Sequence, residues 1–379
     1  MKFSVSSKEL LRALSTVSKV ILKRNTLPLL DNALVSFKDD KFFITGSSSE
    51  NTLTMPIDLR RMDNGVFRPF CLPVAMVSPI LATLPEQPVE MIIDDTSFLA
   101  SFRYKGGDFS VPAFNGADFP LPVEQENTTV EFSLPLSVFL PSVKAASACT
   151  ADDDLRPQLS AVALDVSNEG VTFVATSGHM LYKYVYTNGI PFVTNGKPCL
   201  ILLYKKAVPA IDAAFANVEM VSLRHDGKKL IISADDTTLY VTDVVGKYPN
   251  YNSVIPAQSP YHLVMPVRDL VNALKRVSLM SNSATQIVSI RKQDGAVSLC
   301  AEDVDFSRKA REDLSSDDCT LPDGFAIGLR SSHFLTVLSV VSTDNVRLEL
   351  SAPERAVTVR EDATNSSLIE LIMPMRIDE

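Results

Sequence analysis

The sequence contains no apolar run that approaches the roughly 18 residues a membrane-spanning helix needs. Residues 1–6 also lack the apolar stretch and the small-residue cleavage site of a secretory signal peptide. The five cysteines are scattered, with no CxxC pair and no close partner among the four histidines. We therefore expect no membrane protein, no disulfide framework and no structural zinc site. The sequence predicts a cytoplasmic protein that binds no metal and no cofactor.

The composition is that of an ordinary globular protein. Of 379 residues, 46% are hydrophobic and 21% are charged, which is enough to bury a sizeable core. At about 150 residues per domain, this length predicts two or three domains. The net charge of −9 argues against a protein that is basic over its whole surface and grips nucleic acid. It does not exclude a local basic lining.

A strand followed by a helix recurs along the chain. The first copy begins at Phe3, where a short alternating segment precedes a helix, and Ser6 and Glu9 have the spacing of a capping box. One face of this helix is apolar and consists of Leu10, Leu11, Leu14 and Val17. Similar copies begin at Phe132 and Leu263, so the starts lie 129 and 131 residues apart. This spacing predicts three similar domains, at residues 1–126, 127–258 and 259–379.

A weaker strand–helix half-repeat occurs inside each third, beginning at Phe70, Leu200 and Phe325. Short strands are expected after the helices, among them residues 33–37, 41–45, 171–174 and 229–232. Strands so close together in sequence pair antiparallel. The sequence therefore predicts an α+β fold, in which each domain is a doubled strand-helix unit with sheet on one side and two helices on the other.

Three prolines fall within the predicted helices. Pro141 interrupts the first helix of the second domain, and Pro79 and Pro209 lie early in the half-repeat helices. Because proline inside a helix removes a hydrogen bond and clashes with the preceding turn, we expect these helices to start later or to kink.

The helices are basic although the chain as a whole is acidic. Cations occur at similar helix positions in the three thirds, and the candidates for a phosphate-facing lining are Lys8, Arg12, Lys19, Lys23, Arg24, Lys144, Lys205, Lys206, Arg268 and Lys275. A single lysine on a helix is usually solvated surface. Recurrence in all three thirds favours a shared positive lining that attracts phosphates without reading bases.

Five segments, in order, resemble one family. They are residues 24–30 (RNTLPLL), 117–120 (ADFP), 175–181 (ATSGHML), 246–251 (GKYPNY) and 373–376 (MPMR). With the threefold repeat, they make the whole chain resemble the bacterial DNA polymerase III beta subunits, the sliding clamps. The resemblance implies the DNA clamp fold, with helices inside and sheets outside, in a head-to-tail homodimer that closes as a ring around double-stranded DNA.

The same resemblance implies a processivity factor that is not an enzyme. Its implied partners are the alpha subunit of the replicative polymerase, the clamp loader, and translesion polymerases and repair proteins that dock through short linear motifs. Carried over by residue, the peptide-binding cleft consists of Leu159, Thr176, Gly178, His179, Leu181, Pro249, Val254, Leu371, Met373, Pro374, Met375 and Arg376. Taken alone, the apolar residues at the C-terminal end also fit an edge strand of the last domain.

The resemblance also assigns a dimer seam between an edge of the first domain and an edge of the third. The matching residues are Leu279 and Met280, with Arg103 and Lys105 as cations across the seam. The sequence departs from better-known members at three cleft positions. Ser177 stands where an acid is common, and Met180 and Ser253 stand where arginines are common, so the preference for particular peptides is expected to differ.

A different class of function remains as the alternative, an acidic repeat-built scaffold or hydrolase with no DNA role. His179 follows a serine and a glycine, but the chain has no Gly-x-Ser-x-Gly elbow, and His225, His262 and His333 lie in unrelated contexts. A clamp would be dimeric and show no turnover. Those two properties distinguish the two hypotheses.

Overall fold

The computed structural model of the chain describes residues 1–123, 128–187, 192–193, 198–363 and 366–377. The predicted domain boundary at residues 126 and 127 lies outside these ranges. Within them, every helix is too short or too polar to cross a membrane.

Six α-helices occur in the described ranges, and each follows a strand, as the doubled strand-helix repeat predicts. Their bounds are α1 Ser7–Val17, α2 Val74–Leu81, α3 Leu136–Ala148, α4 Val208–Phe215, α5 Val267–Val277 and α6 Ser331–Leu338. A 3-10 turn, Lys205–Ala207, separates α4 from the strand before it. The α+β fold class is confirmed.

The strands are short and numerous. The first fourteen are β1 Lys2–Ser6, β2 Asn32–Lys38, β3 Lys41–Ser47, β4 Asn51–Ile57, β5 Arg60–Arg61, β6 Phe70–Pro73, β7 Pro88–Ile93, β8 Leu99–Tyr104, β9 Gly107–Pro112, β10 Phe114–Asn115, β11 Val130–Pro135, β12 Ala161–Ser167, β13 Gly170–Thr176 and β14 Met180–Tyr186. The others are β15 Phe192–Val193, β16 Cys199–Tyr204, β17 Met220–His225, β18 Lys229–Ala234, β19 Thr237–Thr242, β20 Tyr261–Pro266, β21 Ile287–Gln293, β22 Ala296–Asp303, β23 Arg308–Leu314, β24 Asp318–Cys319, β25 Ala326–Arg330, β26 Asn345–Leu350, β27 Val357–Glu361 and β28 Leu368–Ile372. The four strands predicted at 33–37, 41–45, 171–174 and 229–232 are confirmed as β2, β3, β13 and β18.

The chain divides into two compact units. The first comprises Met1–Leu140 and Pro191–Asp243. It contains a five-stranded sheet in the order β5-β1-β7-β8-β9 and a ten-stranded sheet in the order β10-β6-β2-β3-β4-β19-β18-β17-β11-β15. In the larger sheet, β4 pairs antiparallel with β19, so strands from the first and second predicted domains form one continuous sheet.

The second unit comprises Pro141–Ile190 and Val244–Glu379. Eight of its strands lie in the order β12-β13-β14-β28-β27-β26-β20-β24, and four more form a sheet in the order β23-β22-β21-β25. Here β28 pairs antiparallel with β14 on one side and with β27 on the other. Among the described strands of residues 259–379, β28 pairs with β27 alone, so it is an edge strand of the last predicted domain, as that alternative expected. Its pairing with β14 makes it interior to the sheet as a whole.

Helix α1 illustrates how the repeats build the core. Leu10, Leu14 and Val17 are buried, while Leu11 is only half-buried. The predicted capping box is wrong, because the Ser6 side chain makes no cap hydrogen bond and Glu9 instead accepts hydrogen bonds from Arg12 at 2.7 and 2.9 Å. The guanidinium fork offers that carboxylate two charged donors, more than the single backbone N–H of a capping box.

The helical prolines have different effects in the three helices. Helix α4 starts late, as predicted, and Pro209 occupies its first turn, where a missing N–H is not needed. Helices α2 and α3 instead include Pro79 and Pro141 within their length. These two helices therefore do not start later, and the other expectation, a kink at the proline, stays a prediction for them.

Candidate functional site

The candidate cleft lies in the second unit, and its first part is a tight turn between β13 and β14. The Thr176 hydroxyl donates to the Met180 carbonyl at 2.7 Å and accepts the Gly178 N–H at 3.1 Å. Gly178 has φ of +86°, a left-handed conformation that glycine adopts at little cost. Gly178 and His179 are consequently exposed at the tip of the turn.

Strand β28 lies directly beside this turn. Leu371 is paired opposite Leu181, and both side chains are buried. One residue past the strand, the Met373 N–H donates to the His179 carbonyl at 2.8 Å, and the Met373 side chain is 41% exposed. Six of the twelve predicted cleft residues are thus brought together, namely Thr176, Gly178, His179, Leu181, Leu371 and Met373.

The chain after β28 passes over the backbone of β25. The Met375 N–H donates to the Gly328 carbonyl at 2.8 Å, while Pro374 and Met375 are half-buried and Arg376 is exposed. A Cβ at Gly328 would lie 2.6 Å from the Met375 carbonyl oxygen and 2.6 Å from the Ile377 side chain. Glycine at 328 therefore permits the close approach of the C-terminal segment.

Residues 246–254 contain two further predicted cleft residues. Tyr248 donates its hydroxyl to the Val174 carbonyl at 3.4 Å, and Tyr251 donates to Asp165 Oδ2 at 2.6 Å, so this segment packs along β12 and β13. Burial, followed by the hydrogen bond to Asp165, raises the pKa of Tyr251 well above its ordinary value. Pro249 and Val254 are exposed on the segment. Leu159 is buried in the 3-10 turn Pro157–Ser160, whose Gln158 side chain lies against Gly246.

One residue beside the turn is absent from the residues predicted for the cleft. His333, on α6, stacks on His179 with ring centroids 5.9 Å apart and an interplanar angle of 25°. Burial lowers the pKa of His333, and the nearby charges of Arg330 and His179 lower it further. The expectation that His333 has an unrelated context is wrong, because α6 folds back toward β14 and β28. No local pattern in the sequence predicts a contact between His179 and His333, which lie far apart along the chain.

The three departures from the family pattern have local structural roles. The Ser177 hydroxyl accepts the Met180 N–H at 3.2 Å and the His179 N–H at 3.4 Å. The Met180 side chain is buried, so that position presents no cation to solvent. The Ser253 hydroxyl donates to the Asn250 carbonyl at 2.7 Å and stabilises the 3-10 turn Tyr251–Val254.

Two of the predicted DNA-facing cations on α1 have acidic partners. Lys8 Nζ lies 2.8 Å from Glu86, and Arg12 is held by Glu9, whose hydrogen bond raises the Arg12 pKa. These carboxylates offset most of the positive charge that both residues would offer to a phosphate. Sequence spacing could not find the Lys8 pair, because Glu86 follows a different helix.

The other predicted cations are mostly exposed. In the described part of the chain, five of them make no ion pair, and these are Lys19, Lys23, Arg24, Arg268 and Lys275. Lys144 is exposed on α3, and Lys205 is half-buried. Lys206 is exposed, with Nζ 5.0 Å from the centroid of the Tyr204 ring. Lys19, Lys23 and Arg24 lie after the end of α1 at Val17, so the prediction that they lie on this helix is wrong. The segment after α1 and the length of α5 therefore carry most of the uncompensated positive charge among these candidates.

The predicted seam residues lie near the edge strands of two different sheets. Leu279 and Met280 are 70% and 39% exposed on the 3-10 turn Ser278–Met280, which contacts β22 and β23. Strand β23 is one edge of its four-stranded sheet. In the first unit, Arg103 and Lys105 are exposed at the end of β8, and β9 is an edge of its sheet.

Two family profiles match the chain in order. The first, DNA polymerase III beta subunit, N-terminal domain, matches residues 1–123. The second, DNA polymerase III beta subunit, C-terminal domain, matches residues 252–376. The chain belongs to the DNA polymerase III beta subunit family. Beta subunits of this family are processivity factors and not enzymes, and this chain has that role.

Relatives of this beta subunit cover its full length. The beta sliding clamps of Escherichia coli (strain K12) and Pseudomonas putida are each 25% identical to it, with 100% of both chains covered. A DnaN sliding clamp from Pseudomonas aeruginosa bound to griselimycin has a TM-score of 0.89 at 22% identity, and a clamp from Bacillus subtilis has 0.87 at 19%, again over 100% of both chains. The alternative of a scaffold or hydrolase without a DNA role is not supported.

Proposed function

We propose that this beta subunit acts in the cytoplasm as a head-to-tail homodimer of six domains that encircles double-stranded DNA. It slides along the duplex and tethers the alpha subunit of the replicative polymerase. The observation that carries the proposal is the match of both terminal family profiles, in order, to residues 1–123 and 252–376. The proposed domains are residues 1–126, 127–258 and 259–379.

Contact with DNA is assigned to the helix cations. Lys19, Lys23 and Arg24 lie in the segment just after α1, and Arg268 and Lys275 occupy exposed positions of α5. Flexible, exposed ammonium and guanidinium groups attract phosphates of any sequence, and their binding is weakened by salt. Because the ring is linked topologically to the duplex, weak contacts are sufficient, and the net charge of −9 is compatible with sliding.

Partner binding is assigned to the groove formed by the 176–180 turn and the chain after β28. Exposed methionine at 373 and half-buried methionine at 375 provide an adaptable apolar floor. The exposed His179 ring and Arg376 provide polar groups that orient a peptide. The proposed occupants are short linear motifs of the polymerase alpha subunit, the clamp loader, translesion polymerases and repair proteins.

The proposed seam joins β9 of one protomer to β23 of its partner. Both are edge strands whose free backbone groups can extend a sheet. Leu279 and Met280 supply exposed apolar area beside β23. Arg103 and Lys105 provide cations near β9, and exposed acids near β23 include Glu302 and Asp305.

The test uses nicked circular plasmid, the clamp loader of the same organism and ATP. The complex is isolated by gel filtration, and the plasmid is then cut once. We expect the protein to remain on the circle and to leave the linear DNA. Equal retention on linear DNA would contradict encirclement, and a monomeric mass in solution together with no loading would contradict the ring. Omission of ATP is the control for loader-independent binding.

A further inference from the structure

A cluster of four side chains in the first unit takes no part in the proposed clamp function. His225 lies at its centre, with Nε2 2.8 Å from Asp243 Oδ2 and Nδ1 2.7 Å from the Thr129 hydroxyl. Cys199 Sγ lies 3.7 Å from the same Nδ1 and 3.9 Å from the Thr129 hydroxyl. The His225 ring therefore lies between the Cys199 sulfur and the Asp243 carboxylate, one nitrogen toward each. Proteins use this arrangement to activate a thiol.

The fold holds these groups rigidly. His225 is the last residue of β17 and Cys199 is the first of β16, while Thr129 immediately precedes β11 and Asp243 immediately follows β19. The Thr129 N–H and hydroxyl donate to the His225 carbonyl at 2.8 and 3.0 Å. The Asp243 N–H donates to the Lys228 carbonyl at 2.9 Å. The His225 side chain is 6% exposed, so its ring has little freedom to turn.

The His225 ring is held in its charged form. Burial opposes that charge, but the hydrogen bonds to Asp243 and Cys199 outweigh it and raise the His225 pKa to about 9. At neutral pH the ring donates Nε2–H to Asp243 and Nδ1–H to the Thr129 hydroxyl. Its positive charge therefore faces the Cys199 sulfur.

The other cysteines lack this environment. Cys71 and Cys149 are buried, and burial raises the Cys71 pKa to about 12. Cys300 and Cys319 are half-buried, as Cys199 is, but in the described part of the chain neither has an imidazole nitrogen within hydrogen-bond distance. Cys300 has only the Ser298 hydroxyl, at 3.7 Å. These two thiols are matched internal controls for accessibility.

We infer that Cys199 is a thiol-modification site, activated by the His225–Asp243 pair, that takes low-molecular-weight disulfides such as glutathione disulfide. Cys199 first releases its proton to solvent, because the doubly protonated imidazole cannot accept it. The resulting thiolate attacks one sulfur of the disulfide along its S–S axis. A bond forms between the two sulfurs as the original S–S bond breaks, so Cys199 is oxidised and the leaving thiolate is reduced. The leaving thiolate takes a proton from solvent, and a second thiol reverses the reaction.

The experiment follows all five cysteines in one sample. The reduced full-length protein is mixed with glutathione disulfide at pH 7, quenched with acid at successive times and mapped by peptide mass spectrometry. We expect Cys199 to acquire the mixed disulfide about tenfold faster than Cys300 and Cys319. If either of those two reacts as fast as Cys199, the inference is overturned whatever the variants do.

Two variants test the role of the imidazole. His225→Gln removes the charge, and Asp243→Asn removes its carboxylate partner while keeping the side-chain volume. Each substitution is expected to lower the rate of mixed-disulfide formation at Cys199 about tenfold, relative to the rate at Cys319 in the same molecule. His262→Gln, which removes a histidine bonded to Asp318 instead, is the matched control and should leave the Cys199 rate unchanged. An unchanged ratio of Cys199 to Cys319 rates in a folded Asp243→Asn protein would overturn activation by the pair.

Discussion

The backbone N–H of Met373 donates to the carbonyl oxygen of His179 at 2.8 Å, one residue beyond the last β28 pair. This bond continues the pairing of β28 with the start of β14 as far as the 176–180 turn. The partly exposed Met373 side chain therefore lies beside the exposed His179 ring. Residues from the central and C-terminal thirds of the chain thus form one surface.

Replacing Met373 and Met375 together with alanine should abolish peptide binding and leave the dimer intact. Burying a methionine side chain against a partner contributes about 1.5–3 kcal/mol, so the affinity should fall by at least tenfold. Fluorescence anisotropy with a labelled motif peptide of the polymerase alpha subunit measures binding, and sedimentation measures the dimer. Met220→Ala, at a 48% exposed methionine in the first unit, is the control. Loss of peptide binding and dimer together would contradict the cleft assignment.

Gly328→Ala should displace the segment that carries Met375 and Arg376. The added Cβ would lie 2.6 Å from the Met375 carbonyl oxygen, which is a steric clash. Because that oxygen belongs to the backbone, it cannot move aside as the end of a flexible side chain can. We expect a loss of about 1–3 kcal/mol in the free energy of unfolding, with weaker peptide binding. Urea unfolding and the anisotropy assay check both. Gly65→Ala, where the nearest atoms lie at 3.7 Å, should have neither effect.

Charge reversal should distinguish paired from unpaired cations. Arg24→Glu removes an exposed cation that makes no ion pair in the described ranges, whereas Lys8→Glu removes one already held by Glu86 at 2.8 Å. We expect Arg24→Glu to slow loader-dependent loading onto nicked plasmid several-fold more than Lys8→Glu. Both variants should bind the motif peptide normally. Loading rates indistinguishable from wild type for Arg24→Glu would argue against a DNA role for this residue.

Glu370 should make stability fall as pH rises. The residue lies fully buried on β28, and neither carboxyl oxygen has a hydrogen-bond partner in the described structure. Burial, followed by the charge of Glu361, raises the Glu370 pKa well above the usual value near 4.5. The unfolded chain therefore releases this proton at a lower pH than the folded chain, which costs the fold about 1.4 kcal/mol per pH unit above 4.5, up to the folded pKa.

Urea unfolding of wild type and Glu370→Gln from pH 5 to pH 8 isolates this effect. We expect the variant to gain stability relative to wild type as pH rises, because glutamine does not ionise. His225 loses its own stabilising charge as pH rises toward about 9, but that loss is common to both proteins and cancels in the difference. A constant difference across the pH range would show that Glu370 does not titrate in this window.

The repeat made much of the fold predictable. A strand that leads into an amphipathic helix is a local pattern, and each of the six helices follows the strand of its repeat because Leu10, Leu14 and Val17 and their counterparts must leave water. The predicted capping box failed because Glu9 has another partner within the same helix. The Glu9 carboxylate accepts hydrogen bonds from Arg12, and the Ser6 side chain makes no cap hydrogen bond, its hydroxyl being buried without a partner among the described residues.

The candidate site was predictable only in part. Five short segments carried the resemblance, and they located the turn at Thr176–Met180 and the C-terminal methionines. The partners of these residues were not predictable, because His333 and Gly328 approach them through the folding of distant segments. The same is true of Glu86, the partner of Lys8. Sequence spacing gives no distance between residues on different elements.

By itself, the sequence determined the α+β class, the doubled strand-helix repeat and the family, since apolar periodicity and short motifs are local properties of the chain. The tertiary structure decided which cations remain unpaired, which glycine admits a neighbouring backbone, and that β28 lies between β14 and β27. It also decided that Cys199, alone among the cysteines of the described ranges, lies against a charged histidine. These outcomes depend on distances of a few ångströms between remote residues, and such distances exist only once the core has packed.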